Sequence, residues 1–319
     1  MAEQARAGRD VVVVGGGAAG LSAALTLART RRRVTVLDAG APRNAPADGV
    51  HGLLGLDGVS PAELLARGRD EVTRYGGVVV PAEVSDVSST SDGFVVTTRD
   101  SGVLHARRLL IATGLIDELP DIPGVRERWG RDVLHCPYCH GWEVRDRRIG
   151  VLASGPMSMH QALMFRQRSD SVYFFSRDHQ LGAEERARLD ALGIPVTDGA
   201  VARLEISKNR LTGVLMEHGQ VVEVDAVAVA SRMVARAAVS ASIGIRPTAH
   251  PAGSFIAADP TGRTSVPGVR VAGNATDLSA QVSAAAAGGA RAAQHINADL
   301  VMADADRAVA DLANSKVGR

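Results

Sequence analysis

The chain has 319 residues, 45% of them apolar and 22% charged, with a formal net charge of +1. That length predicts two domains of the usual size, about 100 to 200 residues each, and the composition excludes a disordered or fibrous protein. Arginines are spread along the chain without forming a basic stripe, which argues against nucleic acid or an anionic membrane surface as partner and favours a small neutral one.

The first patterned segment, Val11 to Ala28, is apolar enough to suggest a signal peptide or a membrane span. Asp10 precedes it and three consecutive glycines interrupt it, so the expectation is a cytoplasmic chain with neither. The same segment opens a βαβ unit: a strand of valines, a glycine turn, an amphipathic helix and a second strand ending at Asp38. Gly15 permits the tight turn, Gly17 lets the backbone approach a pyrophosphate, and Gly20 lets the helix pack close to the sheet. The helix N-terminus then faces the phosphates, and Asp38 stands where a carboxylate accepts hydrogen bonds from a ribose.

Two later segments complete this nucleotide site. LLIATG, Leu109 to Gly114, reads as a buried strand ending in small residues where the chain passes near a cofactor. GVRVAGNATD, Gly268 to Asp277, reads as another strand running into Gly273 and Asn274, followed by an alanine-rich helix from about Gln281 to Leu300. Displaced by 138 residues, the βαβ pattern returns without a gap as IGVLASGPMSMHQALMFRQRSDSVYFFSRD. In this second copy Ala153 stands for Gly15, Gly155 for Gly17 and Ser158 for Gly20, and Pro156 and Met157 intrude on the turn. The expected result is a retained fold that binds a dinucleotide poorly or not at all.

Only two cysteines are present, Cys136 and Cys139, and their Cys-x-x-Cys spacing is that of a redox pair. His135 precedes the first and His140 follows the second. An imidazole can take a thiol proton and stabilise the thiolate that exchange requires. In an extended chain adjacent side chains point opposite ways, so at most one histidine needs to face the dithiol. Of the two, His135 is favoured. A zinc knot of these four residues is disfavoured, because no second Cys-x-x-Cys exists and adjacent ligands seldom close one tetrahedron; no metal is expected.

The glycine turn, the ATG segment, CPYC and the AGN strand together resemble the low-molecular-weight thioredoxin reductase fold over nearly the whole chain. The resemblance implies an α/β protein of two Rossmann-like, three-layer ββα nucleotide-binding domains. Residues 1–116 and 246–319 would form a discontinuous FAD-binding domain, and 117–245 a central domain with the redox pair. It implies that FAD is held by Gly15, Gly17, Ala18, Ala19, Gly20, Asp38, Asn44, Val84, Ala112, Gly273, Asn274, Gln281 and Val282, the last pair near the isoalloxazine. By analogy the chain is expected to be a homodimer.

Three departures redirect the reading. The second glycine turn is ASGPMS, followed by Ser176, Arg177 and Asp178 where reductases carry a His-Arg-Arg run, so an aspartate would repel a 2′-phosphate. Histidine occupies the position after the second cysteine, where reductases carry an acid. Asn274 replaces the usual aspartate, a change expected to be mild. HCPYCHG with a missing NADPH motif resembles the thioredoxin-reductase-like dithiol oxidases that close disulfides in natural products such as gliotoxin, holomycin and romidepsin, and among them the holomycin-type bacterial enzyme. That resemblance implies oxidation of a small-molecule dithiol with dioxygen as acceptor and hydrogen peroxide as product. It also implies that Cys136 exchanges with substrate and Cys139 faces the flavin. Asn44, in the loop after Asp38, would orient a histidine or the substrate, or else stabilise its own turn. Tyr138, Trp142 and the leucines of HGLLGL, His51 to Leu56, are candidates for an apolar substrate wall. The competing readings are an NADPH-dependent disulfide reductase using the same cysteines, and a flavoprotein passing electrons between thiols and a protein partner.

Overall fold

The computed structural model describes residues 8–155 and 157–317. Six strands open the chain: β1 Arg9–Val14, β2 Val34–Asp38, β3 Val78–Pro81, β4 Val84–Thr90, β5 Gly93–Thr98 and β6 Val103–Ile111. They form a sheet in the order β3-β2-β1-β6-β5-β4, and the late strand Val269–Val271 joins it against the C-terminal half of β6. Strand alternation divides the core. Val11 and Val13 pack on the helix side with Ala24, Leu27 and Ile296, whereas Val12 and Val14 pack on the β4–β5 side with Val87, Phe94 and Val96. The outcome is three layers, helix on sheet on sheet, as expected.

The second unit repeats this design. A five-stranded parallel sheet runs Val196–Asp198, Val172–Arg177, Ile149–Leu152, Ala226–Val229, Val133–Leu134. Ile149 and Val151 face the helix Ser158–Arg166, while Leu152 and Val227 face a three-stranded sheet that begins with Val201–Ser207. Val11 pairs with Val34 in the first unit and Ile149 with Val172 in the second, so both partners move by the same displacement. The internal repeat read in the sequence is thus a repeat of strand register.

The chain crosses between the units twice, and the crossings pair with each other. Leu115–Glu118 and Arg232–Ala235 run antiparallel, with Asp117 opposite Met233. They belong to a four-stranded sheet completed by Gly253–Ile256 and Pro247–His250.

The last helix differs from the expected span. It covers Val282–Val317, well past Leu300, which is the final fully buried residue among those whose burial is described on it. Hydrophobic periodicity stops at Leu300, but the alanine-rich sequence from Val301 to Val317 contains no glycine or proline to end a helix. Arg32 and Arg107 both pair with Asp304 and hold the first turn beyond. No helix among the described residues is long and apolar enough to cross a membrane.

This helix crosses Ala18–Arg29 at backbone contact. A Cβ on Gly289 would stand 2.0 Å from the Ala19 carbonyl oxygen, while one on Gly288 meets nothing closer than 4.0 Å. Gly289→Ala is therefore expected to destabilise the fold by about 1 to 3 kcal/mol through overpacking. Gly288→Ala should be neutral or stabilising by up to about 1 kcal/mol through helix propensity. Thermal unfolding of the two variants side by side checks the opposite signs.

Candidate active site

The first glycine turn is built by exclusion. Gly15 has φ 110°, and a Cβ there would lie 2.3 Å from the Ala112 carbonyl oxygen. A Cβ on Gly20 would lie 1.9 Å from the Gly15 carbonyl oxygen, so this residue packs the turn and does not face the cavity. Gly16, which sequence reasoning did not single out, is required as well: its Cβ would strike the Asp38 carboxylate at 2.4 Å. Gly17 alone has open space, with nothing within 4 Å of its missing Cβ. It is also the N-cap of the helix Ala18–Arg29 and offers no side-chain cap, which leaves the N-terminal amides directed at that space.

That space is the end of a cavity of about 1060 Å³. Its wall includes Gly15, Gly17, Ala18, Ala19, Asp38, Asn44, Val84, Ala112, Gly273, Asn274, Gln281 and Val282. The same wall continues to His135, Cys136, Cys139 and His140. Every cofactor-binding and redox-site residue expected from the sequence except Gly20 therefore faces one cavity. An open glycine cradle at one end and a redox pair at the other fit an extended dinucleotide whose reactive ring reaches the sulfurs.

Asn274 does more than replace an acid. Its Nδ2 donates to the carbonyls of Asp277 and Ala280 at 3.0 and 2.9 Å, stitching the loop that leads to Gln281. An ionised aspartate has no proton for either bond. The amide is thereby a structural element of this loop as well as a residue of the cavity wall. Asn44 faces the cavity, and its own backbone carbonyl accepts from the Ala47 amide in a turn.

Cys136 and Cys139 form a disulfide with Cα atoms 5.2 Å apart. The loop is not extended. Pro137–His140 is a single helical turn with Pro137 at its first position and Cys136 as its N-cap, and Cys136 Sγ accepts from the Cys139 amide at 3.2 Å. The alternation argument for the two histidines therefore applies only to His135. The Cys139 amide is thus directed at Cys136 Sγ.

His135 is tied down at Nδ1, which lies 3.2 Å from the Val229 carbonyl and 3.3 Å from both the amide and the hydroxyl of Ser231. Gln161 Nε2 donates to the His135 carbonyl at 2.6 Å. Burial holds the His135 pKa below the ordinary histidine value; the Arg43 charge adds to this, and Asp117 and the Val229 carbonyl oppose it. Burial lowers His140 too, with Glu143 opposing, His51 reinforcing and Asp48 opposing. Neither ring nitrogen of His140, both shut off from solvent, has a hydrogen-bond partner. His51 Nε2 lies 3.4 Å from Glu143 Oε1 and links the Val50–Val59 loop to the segment after the redox turn.

The proposed apolar wall is largely corrected. Trp142 is 68% exposed, lies under the Arg145 guanidinium at 4.2 Å and does not line the cavity. Leu54 is 102% exposed, and Leu53 and Leu56 do not line the cavity either. Only Tyr138 and His51 of that set reach it. Sequence reasoning missed Arg43, Asp117 and Ser231, which meet only because the two crossing strands pair.

The second turn is filled from within. Ser158 Oγ accepts from the amides of Ser154 and Gly155 at 2.9 and 3.2 Å, taking the N–H groups that a phosphate would need. Arg177 Nη1 donates to the Ala153 carbonyl at 2.9 Å. Pro156 lies outside the described residues; Met157 is half exposed and lines the cavity. Among the described residues, no group of three or more His, Cys, Asp or Glu side chains is arranged to hold a metal ion.

The family model described as pyridine nucleotide-disulphide oxidoreductase matches residues 9–289. Thioredoxin reductase tcpT of Claviceps purpurea is 38% identical over 185 residues, 55% of this chain and 58% of that protein. The chain spans about half the length of the first curated relatives it matches, 58%, 40% and 50%. Among solved structures, HlmI is 45% identical with a TM-score of 0.92, covering 97% of this chain and 98% of that one. The oxidoreductase from Agrobacterium tumefaciens is 33% identical with a TM-score of 0.87, covering 92% and 99%. With a matching family model over most of its length and a redox disulfide on the wall of its nucleotide cavity, this chain belongs to the pyridine nucleotide-disulphide oxidoreductase family.

Proposed function

We propose that this protein is an FAD-dependent dithiol oxidase of the holomycin type, which closes an intramolecular disulfide in a small natural-product dithiol with dioxygen as acceptor. The observation that carries the reading is the shared cavity: the Cys136–Cys139 disulfide lines the same wall as the open glycine cradle. The direction of electron flow is supported by the second turn, where Ser158 already holds the amides that an NADPH phosphate would need. On this reading, residues 1–116 and 246–319 form the FAD-binding domain and 117–245 the central domain of a cytoplasmic homodimer.

The FAD would be held by the Gly15–Gly20 turn, Asp38, Val84, Ala112, Gly273 and the Gln281–Val282 segment, with Asn44 beside it. Bound there, FAD would supply a two-electron acceptor for the reduced cysteine pair, with dioxygen as the final acceptor and hydrogen peroxide as its product. The remaining chemistry belongs to the chain. His135, neutral because it is buried, takes the proton of an incoming thiol, and the thiolate attacks Cys136 Sγ, expelling the Cys139 thiolate. Having released the first proton to solvent, His135 takes that of the second substrate thiol, and this thiolate displaces Cys136, whose departing thiolate is stabilised by the Cys139 amide. A cyclic disulfide leaves, and both cysteines remain reduced.

Aerobic incubation with a panel of small dithiols and no NADPH is expected to consume one dioxygen and release one peroxide per disulfide formed, and to stop in Cys136→Ser and Cys139→Ser. Full turnover of either variant would overturn the reading. In the absence of oxygen, NADPH should leave the flavin oxidised while a dithiol bleaches it; prompt bleaching by NADPH would instead establish a reductase. His135→Gln should slow anaerobic dithiol exchange by on the order of 10²-fold. In the wild type, the His135-dependent part of that rate should persist to below about pH 6.5, the ordinary histidine value, because the ring stays neutral there.

A further inference from the structure

Sequence separations of 74, 114 and 96 residues are closed by three contacts that run from Arg43 to Asp117, from Asp117 to Ser231 and from Ser231 to His135. Arg43 grips both Asp117 carboxylate oxygens, Nε to Oδ2 and Nη2 to Oδ1, at 2.7 Å each. The Asp117 side chain is only 6% exposed. Burial pushes its pKa up, but the Arg43 hydrogen bonds and charge reverse this and hold the carboxyl ionised. Ser231 Oγ donates to Asp117 Oδ1 at 2.6 Å.

A serine hydroxyl has a single proton. Once Asp117 has claimed it, the Ser231 oxygen can only accept from the His135 ring. Nδ1 then faces two acceptors, Ser231 Oγ at 3.3 Å and the Val229 carbonyl at 3.2 Å, against one donor, the Ser231 amide at 3.3 Å. The balance favours the proton on Nδ1, which leaves Nε2 as the unprotonated nitrogen for the cavity. Were Asp117 neutral or absent, the hydroxyl could turn its proton to Nδ1 and, with the amide, favour the opposite tautomer, which has no base to offer.

We infer that Arg43, Asp117 and Ser231 are positioning residues that fix the Nδ1–H tautomer of His135 and so keep Nε2 ready to receive the substrate thiol proton. This rests on the proposed role of His135 as the base in exchange. The proton moves from the substrate sulfur to Nε2, the new bond forms between that sulfur and Cys136 Sγ, and the bond that breaks is Cys136–Cys139, whose electron pair stays on Cys139. No proton passes through the serine; its contribution is the tautomer. The groups facing the ring are Arg43 from the loop after β2, Asp117 and Ser231 from the two crossing segments, Val229, the Trp129 ring with its centroid 6.4 Å away, and the Gln161 amide on the adjoining backbone carbonyl.

Two measurements on the holoenzyme test the inference. Nitrogen-15 NMR of histidine-labelled protein, with the His135 signals assigned by their loss in His135→Gln, reads the tautomer directly. Stopped-flow bleaching of the flavin by dithiothreitol under anaerobic conditions reads exchange. Wild type and Ser231→Thr are expected to hold Nδ1–H, and Ser231→Ala to populate the other tautomer and to exchange about five- to tenfold more slowly, the worth of one such hydrogen bond. Asp117→Asn should also move the low-pH limb of exchange to lower pH, because the anion that raises the His135 pKa is gone while burial and Arg43 still depress it. Ser231→Ala keeping the wild-type tautomer would overturn the inference, and so would a changed tautomer with an unchanged exchange rate. Neither readout consumes oxygen, so an enzyme without oxidase turnover leaves this test intact, and failure of this test leaves the oxidase reading to its own assay.

Discussion

The antiparallel pairing of Leu115–Glu118 with Arg232–Ala235 is the constraint on which the site depends. Each strand leaves one nucleotide-binding unit and enters the other, so the pair fixes where the redox turn stands relative to the first glycine cradle. Asp117 sits on one strand and Ser231 immediately before the other, and the loop after β2 supplies Arg43 to the same point. A buried carboxylate here would be costly alone, since an unpaired charge in the interior loses its hydration. Paired twice to arginine and once to serine, it is satisfied, and those partners tie the crossing strands, the first unit and the segment before Cys136 together.

The two βαβ units share a register and differ in what their turns do. In the first, glycines at 15, 16 and 20 are demanded by backbone and by Asp38, and Gly17 faces open space. In the second, one hydroxyl reverses the outcome. Ser158 stands where Gly20 stands in the repeat, but its oxygen reaches back to two amides of its own turn. Helix N-termini and glycine turns bind phosphate because their amides lack internal partners. Once a side chain provides the acceptor, an incoming phosphate must displace a bond already made. The fold survives because Ile149, Val151, Ala162 and Phe165 keep a buried core between helix and sheet, which the turn residue Ala153 joins.

The parts of this design legible in the sequence are the local ones. Gly15, Gly17, Gly20 and Asp38 are readable because a βαβ turn is short and its steric demands recur at fixed offsets, and the second copy is readable because its apolar pattern is repeated without a gap. Cys136 and Cys139 are readable for the same reason. The helical geometry of CPYCH was not, since four residues carry no periodicity and an N-cap cysteine is not a usual helix signal. Trp142 and the leucines near Leu54 misled because composition does not say which side of a loop faces solvent. Asn274 is legible as a replacement for the usual aspartate, whereas its donor bonds to Asp277 and Ala280 need the folded loop to be seen. The partners of His135 lie far from it in the chain and become neighbours only through strand pairing.

One physical requirement links the occupied second turn to the chemistry at the cysteines. With the amides of Ser154 and Gly155 engaged by Ser158, the proposed route admits electrons as substrate thiols, and each thiol arrives with a proton that must be removed before sulfur can attack sulfur. A charged imidazole cannot accept that proton. Burial of His135 and His140 works against their charged forms, and Asp117, the anion bonded into the His135 network, is itself neutralised by Arg43. A carboxylate left unpaired beside His135 would raise its pKa and protonate it at neutral pH. The Arg43–Asp117 pair thus avoids that cost while keeping a carboxylate where it can claim the Ser231 proton, so orientation is obtained without charging the base.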